Sequence, residues 1–201
     1  MTEQRRGKLS LEERDILLRL AREAVAATAE NRPLPVPELE HLSPALREPA
    51  ACFVTLHRQD TGDLRGCTGV LAAQSPLAIE VVRTAAQTAR RDPRFPPVAP
   101  DEVDDLEIEI SILTPPQPLE VPNSEDLPRL IRPGIDGVTL YRPPFRATFL
   151  PQVWRTIPDP VEFLDMLSLK MGLTREAWRL PGMRVEVYQV EEFSDKKPVE
   201  G

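Results

Sequence analysis

The sequence predicts an α+β fold in which mixed or mostly antiparallel sheets pack against helices. Segments with the alternating pattern of β-strands are scattered along the chain, several resemble hairpins, and amphipathic segments separate them. The Rossmann glycine fingerprint and the P-loop are both absent, which argues against a doubly wound nucleotide-binding sheet. With 201 residues, 41% of them hydrophobic, the chain fits one domain with a substantial core.

The composition narrows the classes of protein to consider. The net charge of −7 argues against a basic nucleic-acid-binding protein. No stretch approaches the roughly 20 consecutive apolar residues of a membrane helix, and no apolar segment that would indicate a secretory signal follows the charged first residues. Two cysteines and two histidines allow neither a disulfide framework nor a four-cysteine zinc site. We therefore expect a cytoplasmic protein without a membrane or nucleic-acid partner, a metal site or a cofactor.

The first half of the chain contains signals for one long helix and a hairpin. Ser10 and Glu13 have the spacing of a capping box, and apolar residues at helical spacing predict an amphipathic helix over residues 11–29. Residues 51–57 form a predicted strand, and after a turn Leu64 to Leu71 is the predicted returning strand.

The second half predicts further helices and strands. Ser75 as N-cap with Pro76 at the first helical position predicts a helix to about Arg90. Alternation from Leu106 to Leu113 predicts a half-buried strand with one charged face. The other expected elements are a short helix over 124–131, strands over 137–141 and 147–150, a helix over 160–171 ended by Gly172, a short helix from 174 and a strand over 183–190.

The segment most typical of a functional site is Leu64-Arg65-Gly66-Cys67-Thr68-Gly69. Two glycines flank a cysteine, so the backbone can approach a ligand closely or bend sharply. With the positive charge of Arg65 two residues away, Cys67 could act as a nucleophile or covalent carrier. Alternatively, Arg65 and the amides of Gly66 and Gly69 could cradle a carboxylate or phosphate.

A packing role for Cys67 is the competing interpretation, and the residues alone favour it. If the hairpin loop has an even number of residues, Cys67 faces Leu56 and shares the apolar sheet face of Cys52 and Val54. An odd-length loop places Cys67 on the other face. Two free thiols are expected rather than a Cys52–Cys67 disulfide, because the compartment is reducing.

Other polar residues have both a functional and a structural interpretation. Asp92 and Arg94 could orient a substrate carboxylate, although a helix stop with an ion pair needs the same residues and is favoured. Glu107 and Glu109 could form a paired-carboxylate site, but a solvated strand face is the favoured interpretation. His57 could act as a base for the cysteine across the hairpin, whereas lone histidines are more often structural or solvated.

Six strings occur along the chain in the order found in one family. They are Leu64-Arg65-Gly66-Cys67-x-Gly69, Asp92-Pro93-Arg94-Phe95-Pro96-Pro97, residues 108–116, residues 134–138, residues 149–154 and the pattern from Phe163 to Trp178. On these strings the chain resembles the AMMECR domain family, whose bacterial and archaeal members are called protein A of the AmmeMemoRadiSam system. The resemblance covers residues 10–192, expected to be a single AMMECR-type domain, with flexible termini at 1–9 and 193–201. A bacterial source is expected.

The resemblance implies an α+β fold with a larger and a smaller subdomain and a cleft between them. It also implies association with a Memo-type protein and a radical S-adenosylmethionine (radical SAM) protein, as an accessory or catalytic component of a modification or maturation pathway. It implies no particular reaction. The alternative is a non-catalytic binding or adaptor module for a partner protein or a small anionic ligand.

Carried over by position, the resemblance places the functional site in the segment from Leu64 to Gly69. The catalytic candidates are Cys67 and Arg65, and the ligand-binding candidates are Leu64, Gly66, Gly69, Asp92 and Arg94. The chain departs from the family pattern at Thr68, where isoleucine is expected, and at Arg90, where phenylalanine is expected.

Overall fold

A computed structural model describes residues 8–196, and it confirms the α+β prediction with helices and two four-stranded sheets. The chain divides into two compact units. Of the described residues, the larger unit comprises 8–113 together with 191–196, and the smaller is Thr114–Val190. Each unit has its own sheet and its own hydrophobic core. No helix in the described part of the chain is long and apolar enough to span a membrane.

The elements follow the predicted order closely. The helices are α1 (Leu11–Ala29), α2 (Pro44–Arg47), α3 (Leu77–Arg91), α4 (Leu127–Leu130) and α5 (Pro160–Lys170). The strands are β1 (Ala51–Arg58), β2 (Leu64–Gly69), β3 (Leu106–Leu113), β4 (Gln117–Pro118), β5 (Gly137–Arg142), β6 (Phe145–Phe149), β7 (Arg184–Tyr188) and β8 (Val190–Ser194). Short 3-10 helices lie at Leu39–His41, Pro100–Asp105, Ser124–Asp126, Pro151–Arg155 and Arg175–Arg179.

The predicted ends of the helices are confirmed in part. The Ser10–Glu13 capping box is present, with the Ser10 hydroxyl accepting from the Glu13 amide. The N-cap of α3 is Pro76 rather than the expected Ser75, whose hydroxyl instead accepts a hydrogen bond from Arg83 Nη1 at 2.9 Å. Gly172 follows α5 with φ +84°, the left-handed conformation that glycine adopts without steric cost.

The sheet of the larger unit has the strand order β2-β1-β3-β8, and β1 pairs antiparallel with both β2 and β3. Alternate residues on one face, including Cys52, Val54, Leu56 and Ile110, are buried in a core with α1 and α3. The opposite face carries the other alternate residues of β1 and β3. This alternation is what fixes which side chains stand together on that second face.

Strand β3 has the predicted bounds, but the expectation of a half-buried strand with a solvated charged face is wrong. Ser111 and Leu113, which stand on the predicted charged face, are 3% and 5% exposed. Glu107 is 9% exposed, and its carboxylate lies 3.9 Å from the Lys196 ammonium. Nearly all side chains of β3 on both faces of the sheet are therefore buried, with Glu109 partly exposed.

The strand predicted over 183–190 corresponds to β7, and a second strand that was not predicted, β8, begins at Val190 in a different sheet. β7 lies in the sheet of the smaller unit, whose order is β4-β7-β5-β6, and β8 lies beside β3 in the larger unit. Between them, the Gln189 amide donates to Thr114 Oγ1 at 2.8 Å, and the Thr114 amide donates to the Gln189 carbonyl at 2.9 Å. β8 runs past the expected domain end at 192. Most residues of the expected flexible termini, 1–7 and 197–201, lie outside the described residues.

The smaller unit is built on a sheet packed with α5 and aromatic side chains. Trp154 and Phe163 stack with ring centroids 3.7 Å apart, and the Trp154 indole N–H donates to the Asp136 carbonyl at 2.8 Å. Both rings are almost fully buried. The segment that resembles a family site belongs to the other unit.

Candidate functional site

The pairing of β1 with β2 decides which face of the sheet carries Cys67. Cys67 lies opposite Thr55, because the register shifts between Leu56 and His57 and leaves Arg65 as an extra residue in β2. Cys67 therefore stands on the face opposite Cys52. His57 pairs with Leu64 across six residues, so the loop itself is even. The expectation that an even loop puts Cys67 opposite Leu56 in the apolar core is nevertheless wrong, because the extra residue Arg65 changes the register beyond it.

Cys67 is half-buried and is held by three hydrogen bonds from different parts of the chain. The Thr55 hydroxyl donates to its sulfur at 3.2 Å. The Cys67 amide donates to Asp92 Oδ2 at 2.8 Å, and its carbonyl accepts from Arg94 Nη2 at 3.2 Å. β2 is an edge strand, and these two side chains supply the hydrogen bonds that a further strand would otherwise provide on its outer side.

Polar and ionisable side chains accompany Cys67 on this face of the sheet. We call this surface the polar face. It carries Thr55, His57, Cys67, Glu107, Glu109 and Ser111, together with the apolar residues Ala51, Phe53 and Leu113. Cys67, Thr55 and Glu109 form one row across three strands, and directly opposite residues in such a row have Cβ atoms about 5 Å apart. A thiol, a hydroxyl and a carboxylate therefore stand side by side.

Cys52 is a contrasting thiol in the same molecule. It is fully buried in the core of the larger unit, and its Sγ lies 3.8 Å from Thr84 Oγ1. Burial raises the pKa of the Cys52 thiol to about 12. Both cysteines are free, as predicted. An inert thiol and a partly accessible one thus lie on opposite faces of one sheet.

Asp92 and Arg94 form an ion pair directly beside Cys67. Arg94 donates to both Asp92 oxygens, at 3.0 and 2.7 Å, and this hydrogen bonding holds the pKa of the Asp92 carboxyl well below its usual range. The same pairing raises the pKa of Arg94. Asp92 is buried and occupied by protein donors, whereas the Arg94 side chain is 54% exposed. A ligand near Cys67 would therefore meet Arg94 rather than Asp92.

Arg65, the other catalytic candidate, is buried in a structural clamp. Its guanidinium donates to both oxygens of Glu102, at 3.0 and 2.9 Å, and to the carbonyls of Pro96 and Pro97. The hydrogen bonds from Arg65 lower the pKa of Glu102 to about 2. The side chain is only 5% exposed. Arg65 thus ties β2 to the segment between α3 and β3.

Packing accounts for both glycines that flank the cysteine. A Cβ on Gly66 would lie 3.1 Å from Thr88 Cγ2 and 3.2 Å from the Thr88 carbonyl oxygen, so glycine lets β2 lie close to α3. A Cβ on Gly69 would lie 2.3 Å from Phe53 Cγ and 2.7 Å from the Cys52 carbonyl oxygen. Leu64, the remaining ligand-binding candidate, is 38% exposed at the start of the strand.

The remaining residues considered from the sequence have local roles. His57 Nδ1 lies 3.2 Å from the Gly62 carbonyl in its own hairpin, and His57 pairs with Leu64 rather than Cys67. Thr68 points to the core side, where its hydroxyl lies 2.7 Å from Thr88 Oγ1. Arg90 contacts the Asn31 side chain. Across residues 8–196, no cluster of three or more His, Cys, Asp or Glu could hold a metal ion.

Thr55 is the residue of this site that the sequence analysis missed. It touches the sulfur directly, yet nothing in the string Phe-Val-Thr-Leu-His marks it. Only the correct register of the hairpin would have identified Thr55, because a one-residue shift makes Leu56 rather than Thr55 the neighbour of Cys67.

Comparisons with known proteins agree over nearly the whole chain. The AMMECR1 family model matches residues 18–193. A protein from Thermofilum pendens is 38% identical, covering 96% of this chain and 94% of its own, and a protein from Aquifex aeolicus is 35% identical, covering 90% and 92%. The crystal structure of the uncharacterized protein PH0010 from Pyrococcus horikoshii matches with a TM-score of 0.83 and 34% identity over 96% of both chains.

Proposed function

Because this chain belongs to the AMMECR1 family, we propose that it is a component of a modification or maturation pathway, acting with a Memo-type protein and a radical SAM protein, and that Cys67 is its reactive group. The resemblance suggests the partners. The observation that supports the thiol is its setting: Cys67 is partly accessible on the polar face, with Thr55 on its sulfur and its main chain fixed by Asp92 and Arg94.

In this role the sulfur of Cys67 accepts a group transferred from a substrate. The bond between Sγ and the substrate forms as the bond to the leaving group breaks, and the thiol proton departs with the leaving group. The Thr55 hydroxyl orients the sulfur, and the half-exposed Arg94 guanidinium can pair with a carboxylate of the substrate. Arg65 and the two glycines contribute by holding the strand in place.

The first test is the alkylation rate of each cysteine in the native protein from about pH 5 to pH 9, followed by mass spectrometry. We expect Cys67 to react in the folded protein and Cys52 to react only after unfolding, because Cys52 is fully buried. In cells that depend on the protein, Cys67→Ala and Cys67→Ser should abolish the phenotype, whereas Cys52→Ala, the matched control, should retain it. A fully active Cys67→Ala protein would rule out the thiol mechanism.

A non-catalytic binding module is the second candidate, and the structure gives it one specific support. Since packing explains Arg65, Gly66 and Gly69, the exposed cation beside the site is Arg94. A surface that docks an anionic group needs Arg94 and not the sulfur. An inactive Arg94→Gln variant combined with an active Cys67→Ala variant would therefore favour this candidate over catalysis.

A further inference from the structure

A second surface of the larger unit carries a groove lined by arginines. It lies between the end of α1 and the outer side of α3 and has a volume of about 510 Å³. Four arginines line it: Arg32, Arg83, Arg90 and Arg91. In a chain with a net charge of −7, this is a local concentration of positive charge.

Three of these arginines have no acidic partner among residues 8–196. Arg83 is hydrogen-bonded to the Ser75 hydroxyl and Arg90 to the Asn31 side chain, both of which are neutral, and only Arg32 is paired with a carboxylate, that of Glu30. The acid on α3 is Glu80, which is buried away from the groove. The groove therefore presents three uncompensated guanidinium groups to solvent.

The helix macrodipole does not account for this arrangement. A dipole at the C-terminus of α3 favours basic residues in its last turn, which explains Arg90 and Arg91. Arg83 lies two turns earlier, roughly 10 Å along the helix axis from Arg90, beyond the reach of that effect. The dipole therefore does not explain why Arg83 lines the same groove.

The wall of the groove formed by the end of α1 is held in a defined conformation. Asn31 has φ +56°, and the amides of Glu30, Asn31 and Arg32 donate to carbonyls of the last turn of α1 at 2.8 to 3.3 Å. The Asn31 side chain that contacts Arg90 is thus positioned by the helix end. A wall fixed in this way reduces the entropy lost when a ligand binds.

An apolar groove of about 210 Å³ shares Leu34 and Arg83 with the basic one. Its other lining residues include Pro35, Val36 and Ile79. Val36 is 86% exposed, which is high for a large aliphatic side chain. The two grooves together offer anion-binding groups next to an apolar surface, at a total size typical of small-molecule sites.

We propose that this pair of grooves binds an organic diphosphate, with the phosphates against Arg83, Arg90 and Arg91 and the apolar part of the ligand against Leu34 and Val36. A terminal phosphate carries about −1.5 to −2 charges near neutral pH, so three guanidiniums match two linked phosphates. Arginine forks pair well with phosphate oxygens. The site lies on the side of α3 away from the sheet and does not depend on the function proposed for Cys67.

The test is calorimetric titration of the full chain with inorganic pyrophosphate and with geranyl diphosphate at two salt concentrations. We expect both to bind, geranyl diphosphate at least 10-fold more tightly, with affinity falling as salt rises. The triple variant Arg83→Gln, Arg90→Gln, Arg91→Gln should lose at least 10-fold for both ligands. The Val36→Ser variant should reduce the affinity for geranyl diphosphate alone.

A second triple variant separates a site from a general effect of charge. Arg19→Gln, Arg47→Gln and Arg129→Gln remove the same charge from exposed arginines elsewhere on the chain, so this protein should bind like the wild type. Equal losses in the two triple variants would overturn the proposal, as would the absence of pyrophosphate binding at low salt. Equal affinity for the two diphosphates would overturn the assignment of the apolar groove.

Discussion

At the scale of single residues, Arg65 shows how a buried charge organises its surroundings. Its guanidinium is nearly inaccessible and holds Glu102 and two carbonyls, which lie 31 to 37 residues further along the chain. A buried arginine without these acceptors would be costly, because an unpaired charge loses its hydration. Glu102 also accepts a hydrogen bond from the Ala99 amide, so one carboxylate joins β2 to the start of the 3-10 helix at Pro100–Asp105.

The first prediction concerns Glu102→Gln. We expect the variant to lower the free energy of unfolding at pH 7 by about 2 kcal/mol, a value that allows for partial solvent screening of the pair. The pKa of Glu102 is lowered from 4.5 to about 2 in the folded protein. The contribution of this carboxylate to stability is therefore fully present well above pH 4.5 and is lost as the pH falls toward 2. The difference between wild type and variant should thus shrink by about 1 kcal/mol between pH 5 and pH 3.5.

Urea denaturation of both proteins at several pH values measures this difference. Comparing the two proteins at each pH cancels the titration of every other carboxyl group. A difference that stays constant from pH 5 to pH 3.5 would show that the Arg65–Glu102 pair does not lower the pKa of Glu102 in solution.

At the scale of elements, strand β2 is an edge strand whose outer side is covered by side chains. Asp92 is the residue directly after α3, so the end of that helix and the middle of the strand are joined by the bond from the Cys67 amide to Asp92. The close approach of strand and helix at Gly66 brings the two elements into this position. The geometry of the thiol site therefore depends on where α3 ends.

The second prediction follows from this contact. Asp92→Ala should increase the hydrogen-exchange rate of the Cys67 amide by at least 10-fold, because the amide loses its acceptor. Asp92→Asn should have an intermediate effect, since its side-chain oxygen can still accept but no longer pairs with Arg94 as a carboxylate. Exchange is measured by NMR on the labelled protein.

The Val70 amide provides an internal reference for that experiment. It donates to the Cys52 carbonyl at 2.9 Å on the inner side of the hairpin and should stay protected in both variants. Unchanged protection of Cys67 in Asp92→Ala would mean that Asp92 does not hold the strand.

Local signals explain which elements could be predicted from the sequence. The capping box at Ser10 and the alternation from Leu106 to Leu113 are encoded within a few residues, and the bounds of α1 and β3 were predicted correctly. The face of Cys67 was not predictable, because the bulge at Arg65 depends on a partner 37 residues away. Gly66 and Gly69 lie against Thr88 and Phe53, which belong to other elements of the fold. The sequence alone could therefore not distinguish packing from ligand binding at the two glycines.

At the scale of the whole molecule, the chain leaves the larger unit after β3, builds the smaller unit and returns to add β8 beside β3. The alternation predicted over 183–190 does not reveal this return, since a pattern with period two does not show which sheet a strand joins. The returning segment is held by charged side chains. Glu191 accepts from Arg14 and from the Leu9 amide, and Asp195 accepts from Arg22 and from the Ile108 amide.

The last prediction tests whether this returning segment stabilises the larger unit. Asp195 Oδ2 lies 2.6 Å from Arg22 Nη2, its Oδ1 accepts from the Ile108 amide at 2.8 Å, and its side chain is only 20% exposed. Asp195→Ala removes these bonds and should lower the free energy of unfolding by about 2 kcal/mol. Urea denaturation followed by circular dichroism measures the loss, since both tryptophans, Trp154 and Trp178, lie in the smaller unit and fluorescence would report on that unit.

The matched control for this measurement is Asp15→Ala. Asp15 is exposed on α1 and forms no ion pair or hydrogen bond through its side chain with the described residues, so its replacement should leave stability unchanged or slightly raised, as alanine favours helix. Equal unfolding midpoints for the two variants would show that the segment after β8 is not held in solution, and that the sequence-based expectation of a flexible end from residue 193 was correct there. A lower midpoint for Asp195→Ala alone would show that the segment containing β8 stabilises the larger unit.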